Sequence, residues 1–463
     1  MITTELAHAY FERHRTKILA DWFELLRFPS IGADRQRLGD CARCAAWLKR
    51  YVRAMGFVTE IRLANEHPVL LAERPGKPGA PVVLFYGHYD VQPADPLELW
   101  STQPFEPELR EGRVYARGAS DNKGQIFAFL QGVAALLAAG VEVPTIRLVL
   151  EGEEESGSDG LIACLSQWRQ SLQADVMLVS DSSVHASGRP AIIAGMRGIL
   201  HLTVTLRGAT RDLHSGSHGG VAPNASAGMA RLLASLHDAQ GRIAVPGFLE
   251  CVVPPTPQEL ACAQAEPFDA AEYERTIGVA PLGGEAGLSA VERASFRPTI
   301  EVNGVHSGYG GPGSKTVLPA QAVAKLSARL CPGQSPRASG EQIVAHLQAN
   351  CPPGLTLEIS ELSTGAPALR LSLETPVMRL AEEVLQQLDP RGAVFEWMGA
   401  SIPVIGALRD VSGASPLLVG FAREEDAIHA PNESFGLDQF QADMTYASLI
   451  LAALAGEPLP PES

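Results

Sequence analysis

His88 and Asp90, Asp121, the run Glu153, Glu154 and Glu155, Asp181, and His429 are set apart from the other polar residues of the chain by position. Each follows closely on a short apolar run or opens a helical one. Imidazole nitrogens and carboxylate oxygens are ligands for hard and borderline divalent cations. Open α/β sheets bind ligands at the carboxyl ends of their strands. A pair of cations bridged by one carboxylate would use all of these residues. Taken singly, each has a plainer explanation. A lone His at a strand end is more often structural. Asp121 could be only a helix N-cap. The Glu run could be a solvated turn and Asp181 a turn residue. The conjunction points to metal chemistry.

Such a set needs a frame that brings distant segments together. From Pro81 onward, short β-rich runs alternate with longer helical patterns, the rhythm of a mostly parallel sheet covered by helices, so the fold class is α/β. Strands are predicted at 82–86, 145–150, 175–179 and 417–421, each a continuous apolar run suited to burial on both faces. A helix is predicted over 123–139, and an amphipathic one over 40–55 ends at Gly56. After Arg197 the pattern changes. Residues 199–206 alternate apolar and polar side chains, as a sheet with one solvated face requires. The order that follows is strand, helix (222–237), strand (298–302), strand (322–330), helix (340–350), strand (355–362). That is the βαββαβ order of a ferredoxin-like unit, interrupted by a Pro-, Ala- and Glu-rich insertion at 241–297 whose structure the pattern does not assign. A helix over 376–387 and the strand at 417 restore the first style. The expected organisation is therefore a first domain at 1–196 and 373–463, with a second inserted at 197–372.

Composition narrows the partners. The 463 residues carry 37 Lys and Arg against 52 Asp and Glu, a formal net charge of −15, which argues against nucleic acid. Hydrophobic residues make up 46% and charged ones 19%, enough to bury a large core. The apolar stretches are too short to span a bilayer, and the start of the sequence lacks the basic and apolar pattern of a secretory signal. Seven scattered cysteines fit a reducing compartment, so a cytoplasmic location is expected. Cys41 and Cys44 form a lone C-x-x-C within a helical pattern and read as a pair of helix thiols. The glycine-rich runs at 216–220 and 308–313 lack the context of a phosphate loop. Glu424, Glu425 and Asp426 read as a solvated acidic loop, and His201 as facing solvent.

Longer motifs carry a resemblance. The runs 86–93 (YGHYDVQP), 118–124 (GASDNKG), 154–158 (EESGS), 179–181 (VSD), 211–216 (RDLHSG), 313–319 (GSKTVLP) and 401–403 (SIP) resemble the aminoacylase/carboxypeptidase family of dinuclear metallohydrolases. The branch most resembled is the carnosinase and nonspecific dipeptidase group. That resemblance implies two divalent metal ions per subunit, zinc or manganese, or cobalt. His88 and Asp181 would bind one ion, Glu155 and His429 the other, and Asp121 would bridge them. Asp90 would orient His88, and Glu154 would be the general base. The resemblance also implies a homodimer through the inserted lid domain, with His214 stabilising the oxyanion in the partner's site. Arg329, Thr316 and Ser401 would bind the substrate. Two departures stand out: Asn122 where that branch usually has Asp, and Trp397-Met398-Gly399-Ala400 where Arg-Glu-Gly-Gly is common.

The function implied is hydrolysis of the amide bond of a dipeptide or related small peptide next to a free carboxylate. An N-acyl amino acid deacylase or desuccinylase would use the same centre with another acyl pocket. A non-enzymatic peptide-binding module is the reading from a different class.

Overall fold

The computed structural model describes residues 4–265 and 268–456, so residues 266 and 267 of the insertion lie outside the described residues. Two compact units divide the chain. The first takes the chain up to Ala194, Leu371–Glu396 and everything from Val404 onward; the second takes Gly195–Arg370 and the short return Trp397–Pro403.

In the first unit the helices α1 (Thr4–Leu26) and α2 (Leu38–Ala54) lead into strands β1 (Val58–Ala64), β2 (His67–Arg74) and β3 (Val82–His88). Helix α3 (Lys123–Ala138), β4 (Thr145–Glu151), α4 (Asp159–Leu172), β5 (Val176–Val179) and β6 (Ala191–Met196) follow. The sheet order is β1-β2-β4-β3-β5, continued by the late strand β11 (Ser415–Leu418) and then β6. β4, β3, β5 and β11 run parallel, while β1 pairs antiparallel with β2, β2 with β4, and β6 with β11. The parallel strands are the apolar runs of the sequence, and β5 is buried along its whole length. β11 is shorter than expected and lies earlier, ending at Leu418. Beyond it the backbone passes so close to Ser182 that a Cβ at Gly420 would overlap that residue's main chain.

The helices are set by local chemistry and by packing. α2 stops because Gly56 takes φ +91°, letting the Phe57 N–H reach Val52 O at 3.2 Å and the Gly56 N–H reach Arg53 O at 3.0 Å. The final helix α8 (Leu437–Gly456) packs against α3, and both are buried over most of their residues. Their close approach is at Gly132, where a Cβ would lie 2.7 Å from Ala447 Cβ and from Met444 O. Among the described residues no helix is long and apolar enough to cross a membrane, and all seven cysteines are free.

The second unit contains β7 (Gly198–Arg207), α5 (Ala225–Ala234), β8 (Thr299–Ser307), β9 (Gln321–Leu330), α6 (Pro336–Ala349) and β10 (Thr356–Ser360). Its sheet is antiparallel throughout, in the order β8-β9-β7-β10, the ferredoxin-like arrangement expected from the element order. Leu200, Leu202, Val204 and Leu206 pack with Met229 and Leu232 of α5 and Ile343 and Leu347 of α6 in one core. The opposite sheet face carries the alternating polar residues, and His201 is exposed on it. The insertion contains three short helices, Pro257–Ala263, Ala270–Ile277 and Ala290–Ser295.

Candidate metal centre

All five parallel-sheet positions singled out in the sequence converge in the first unit. His88 is the last residue of β3, Asp121 precedes α3, and Glu154 and Glu155 lie in a single turn after β4. Asp181 follows β5, and His429 lies in the loop after β11 with φ +62°. Two ligand groups result: His88, Asp121 and Asp181, and Asp121, Glu155 and His429, with the ligand atoms of each group within 4.8 Å of one another. Asp121 is common to both, and its two oxygens divide the work. Oδ1 lies 3.1 Å from His88 Nε2, and Oδ2 lies 2.9 Å from His429 Nε2. Asp181 completes the first group at 3.7 Å from His88 Nε2, and Glu155 the second at 3.3 Å from His429 Nε2.

The supports of this cluster are as well defined as its members. His88 Nδ1 faces the Asp90 carbonyl oxygen at 3.2 Å and the Asp90 carboxylate at 3.4 Å, which leaves the Nε2 lone pair for the cluster. The buried Asp90 carboxylate accepts the backbone N–H groups of Glu154 at 3.2 Å and Glu155 at 3.1 Å. One residue thus fixes both a strand end and the acidic turn beside it. Asn122 donates its amide to Ser180 O at 2.6 Å and to Asp181 Oδ1 at 3.1 Å, so a neutral donor aims the Asp181 carboxylate. Gln92 donates to Glu155 Oε2 at 2.7 Å.

Two supports were not anticipated. Glu433, fully buried, accepts the N–H groups of Gly118, Ser120 and Asp121 at 2.9, 2.9 and 3.0 Å, and the Arg117 guanidinium at 2.7 Å. It holds the loop that presents Asp121. Asp426 is also buried, not part of a solvated loop: it accepts Ser120 Oγ at 3.0 Å, Gln439 Nε2 at 2.9 Å and the Arg113 guanidinium. Its acidic neighbours misled the reading, because burial of Asp426 depends on Arg113, a partner far away in the sequence. Glu425 does remain exposed.

The electrostatics are those of a site short of positive charge. Burial pushes the Glu154 carboxyl well above the usual carboxylate range, reinforced by Asp181, Asp121 and Glu155, although His88 opposes this. Burial also raises Glu155. For His88, burial pulls downward, but hydrogen bonds to Asp121 and Asp181 outweigh it and the ring is raised well above its ordinary value. Asp121 and Glu155 push His429 up to about 10. Protons therefore occupy positions that cations can displace. The donor set suits divalent cations on chemical grounds: nitrogen and oxygen atoms only, with Glu155 Oε1 buried and lacking any hydrogen-bond partner among the described residues.

The remaining predicted residues lie in the second unit, in two pairs. His214 Nε2 is 3.3 Å from Thr316 Oγ1, and its Nδ1 accepts the Gly216 N–H at 3.1 Å. The neutral ring must then carry its proton on Nε2. Arg329 Nη1 donates to Ser401 Oγ at 3.0 Å, and Ser401 donates in turn to Arg197 O. Cys41 and Cys44 are buried on α2, and burial pushes Cys41 up to about 12, as inert helix thiols require.

Residues 84–453 match the profile of Peptidase family M20/M25/M40. A beta-Ala-His dipeptidase of Mus musculus is 33% identical over 390 residues, covering 83% of this chain and 79% of its own. Cys-Gly metallodipeptidase DUG1 of Saccharomyces cerevisiae is 28% identical over 388 residues, covering 81% and 80%. Among solved structures, an M20 family metallo-carboxypeptidase, Sso-CP2 from Sulfolobus solfataricus, superposes with a TM-score of 0.84 at 28% identity, covering 95% of this chain and 99% of that one.

Proposed function

Because the chain belongs to Peptidase family M20/M25/M40, we propose that it is a two-metal dipeptidase that cleaves the amide bond of dipeptides or related small peptides with a free carboxylate. The observation that carries this reading is the Asp121 carboxylate, with one oxygen toward His88 and the other toward His429. His88 and Asp181 would hold one divalent cation, Glu155 and His429 the second, and Asp121 both; zinc, manganese and cobalt all suit these ligands. The chemistry such cations would supply there is polarisation of the scissile carbonyl and a lowered pKa for water at neutral pH.

The side chains do the rest. Glu154 takes the proton of the attacking water and returns it to the departing amine. Asp90 keeps His88 oriented and, through the N–H groups of Glu154 and Glu155, keeps that proton carrier in place. The Nε2–H of His214 donates to the carbonyl oxygen as it becomes negative. In this reading the second unit is a lid and dimerisation domain, and His214 acts on the neighbouring subunit's site in a homodimer. Arg329 takes the substrate carboxylate with its planar fork, steadied by Ser401, with Thr316 as a further polar contact beside His214. The free cysteines support a reducing, cytoplasmic setting.

Release of amino acids from a panel of dipeptides and N-acyl amino acids, with wild type and Glu154→Gln both loaded with metal, tests the proposal. Dipeptide turnover that disappears in the variant is the expected result. Turnover of acyl substrates alone would make the protein a deacylase, and tight peptide binding without product a binding module.

A further inference from the structure

On the open face of the second unit's sheet, the strand register brings together two basic side chains that have no acidic partner. Arg329 of β9 lies opposite Ile199, and Ser327, two residues earlier, lies opposite His201 of β7. The side chains of Arg329 and His201 therefore project from the same face as diagonal neighbours, about 7–8 Å apart at the backbone and within reach of one bound molecule. Partial burial, and after it the charge of Arg329, lower the His201 imidazole below its ordinary value.

The other cations of this face are already neutralised. Lys325 pairs with Glu361, and Arg207 with Glu358 at 3.0 Å. By contrast, among the described residues neither Arg329 nor His201 has a carboxylate within 4.0 Å. Glu301, which the ladder places opposite Ser327, forms no ion pair with either. A fifth basic group nearby, Arg197, donates to Gly399 O at 3.0 Å and Arg297 O at 3.3 Å. Glu301 on the same face offsets part of its charge. Arg329 uses Nη1 on Ser401, and its Nε and Nη2 have no hydrogen-bond partner among the described residues. His201 is held only by its backbone, whose N–H and C=O both bond to Ser363, while its exposed ring nitrogens bond to nothing among the described residues.

We propose that His201 is a specificity-determining residue that, beside Arg329, selects substrates whose carboxyl-terminal residue carries a second carboxylate. The inference rests on the reading of Arg329 as the binder of the terminal carboxylate. With that group in the guanidinium fork, an Asp or Glu side chain on the same residue extends along the face toward His201. Imidazole offers it an N–H donor in either protonation state. A part-exposed hydrogen bond to a carboxylate is worth about a five- to tenfold preference.

The test compares kcat/KM for Ala-Glu, Ala-Gln and Ala-Ala in the metal-loaded full-length enzyme and in its His201→Phe, His201→Asn and Arg329→Met variants. Wild type should favour Ala-Glu over Ala-Gln. His201→Phe should lower that ratio about five- to tenfold, through KM for Ala-Glu, and His201→Asn, which keeps a donor, should restore part of it. A ratio near one in wild type, or an unchanged ratio in His201→Phe with metal content and circular dichroism intact, overturns the proposal. If Arg329→Met leaves all three substrates unaffected, the assignment of the terminal carboxylate to Arg329 fails, and this proposal with it.

Discussion

Glu433 offers the sharpest test of how this centre is built. Its carboxylate and the Arg117 guanidinium are each 1% exposed and 2.7 Å apart, and the same carboxylate receives three backbone N–H groups of the loop before α3. Replacing it with Gln keeps the shape but puts an NH2 group where one oxygen accepts two donors. It also leaves Arg117 as an uncompensated buried cation. Breaking a buried ion pair by removing one partner costs about 3–5 kcal/mol, so Glu433→Gln should lose that much stability to urea in the presence of chelator. Because the Asp121 N–H loses its anchor, cation affinity should fall about 10- to 100-fold, read by calorimetric titration at fixed pH. In the double variant Arg117→Met, Glu433→Gln the orphaned cation is gone, and the combined loss should be smaller than the sum of the single losses by at least about 1 kcal/mol. A Glu433→Gln protein with wild-type cation affinity and stability within about 1 kcal/mol would refute this account of the loop.

Further predictions follow from single sites. Glu151 is fully buried and its carboxyl is pushed up to about 8 by burial, with Tyr86 and Ser158 both donating to Oε1. Its folded value lies above the unfolded one, so its contribution is complete below about pH 4.3 and is lost as pH rises through about 8, near 1.4 kcal/mol per pH unit at most. Glu151→Gln, which keeps the Oε1 acceptor, should flatten the stability profile between pH 5 and 8, measured by urea unfolding; an unchanged slope counts against this. Asp121→Ala should lose both bound cations and turnover, whereas Glu154→Gln should retain the cations and lose at least about 100-fold in kcat; metal analysis of the purified variants separates the two roles. Gly132→Ala should cost about 1–3 kcal/mol by overpacking where α3 meets α8, seen as a lowered thermal midpoint.

The parallel strands were legible because burial on both faces leaves an unbroken apolar run, and the candidate ligand cluster was legible because its members sit at the ends of those runs. The ferredoxin-like unit showed itself through the alternation in β7 and the element order. What stayed hidden shares a cause. Glu433 and Asp426 look like surface acids in sequence, and only partners 312 residues from one and 313 from the other, Asp121 and Arg113, make them interior groups. The pattern leaves the structure of the insertion unassigned, yet two of its helices begin with capping boxes, Thr256 with Glu259 and Ser289 with Glu292, a local signal that was present and overlooked. The segment Trp397–Pro403 crosses to the second unit by contacts alone, through Arg197 and Arg329, and no periodicity marks such a return.

The long span between Asp121 and Glu433 also orders events in time. A ribosome makes the chain from one end, and His88, Asp121 and Asp181 emerge well before the residues that steady them. Until Asp426, His429 and Glu433 follow, the loop before α3 has unpaired amides and the second ligand group lacks its histidine. The entire second unit must leave the ribosome in between. On the two-metal reading proposed above, the second ligand group and the anchor of the Asp121 loop are therefore complete only once residues 429 and 433 have been made.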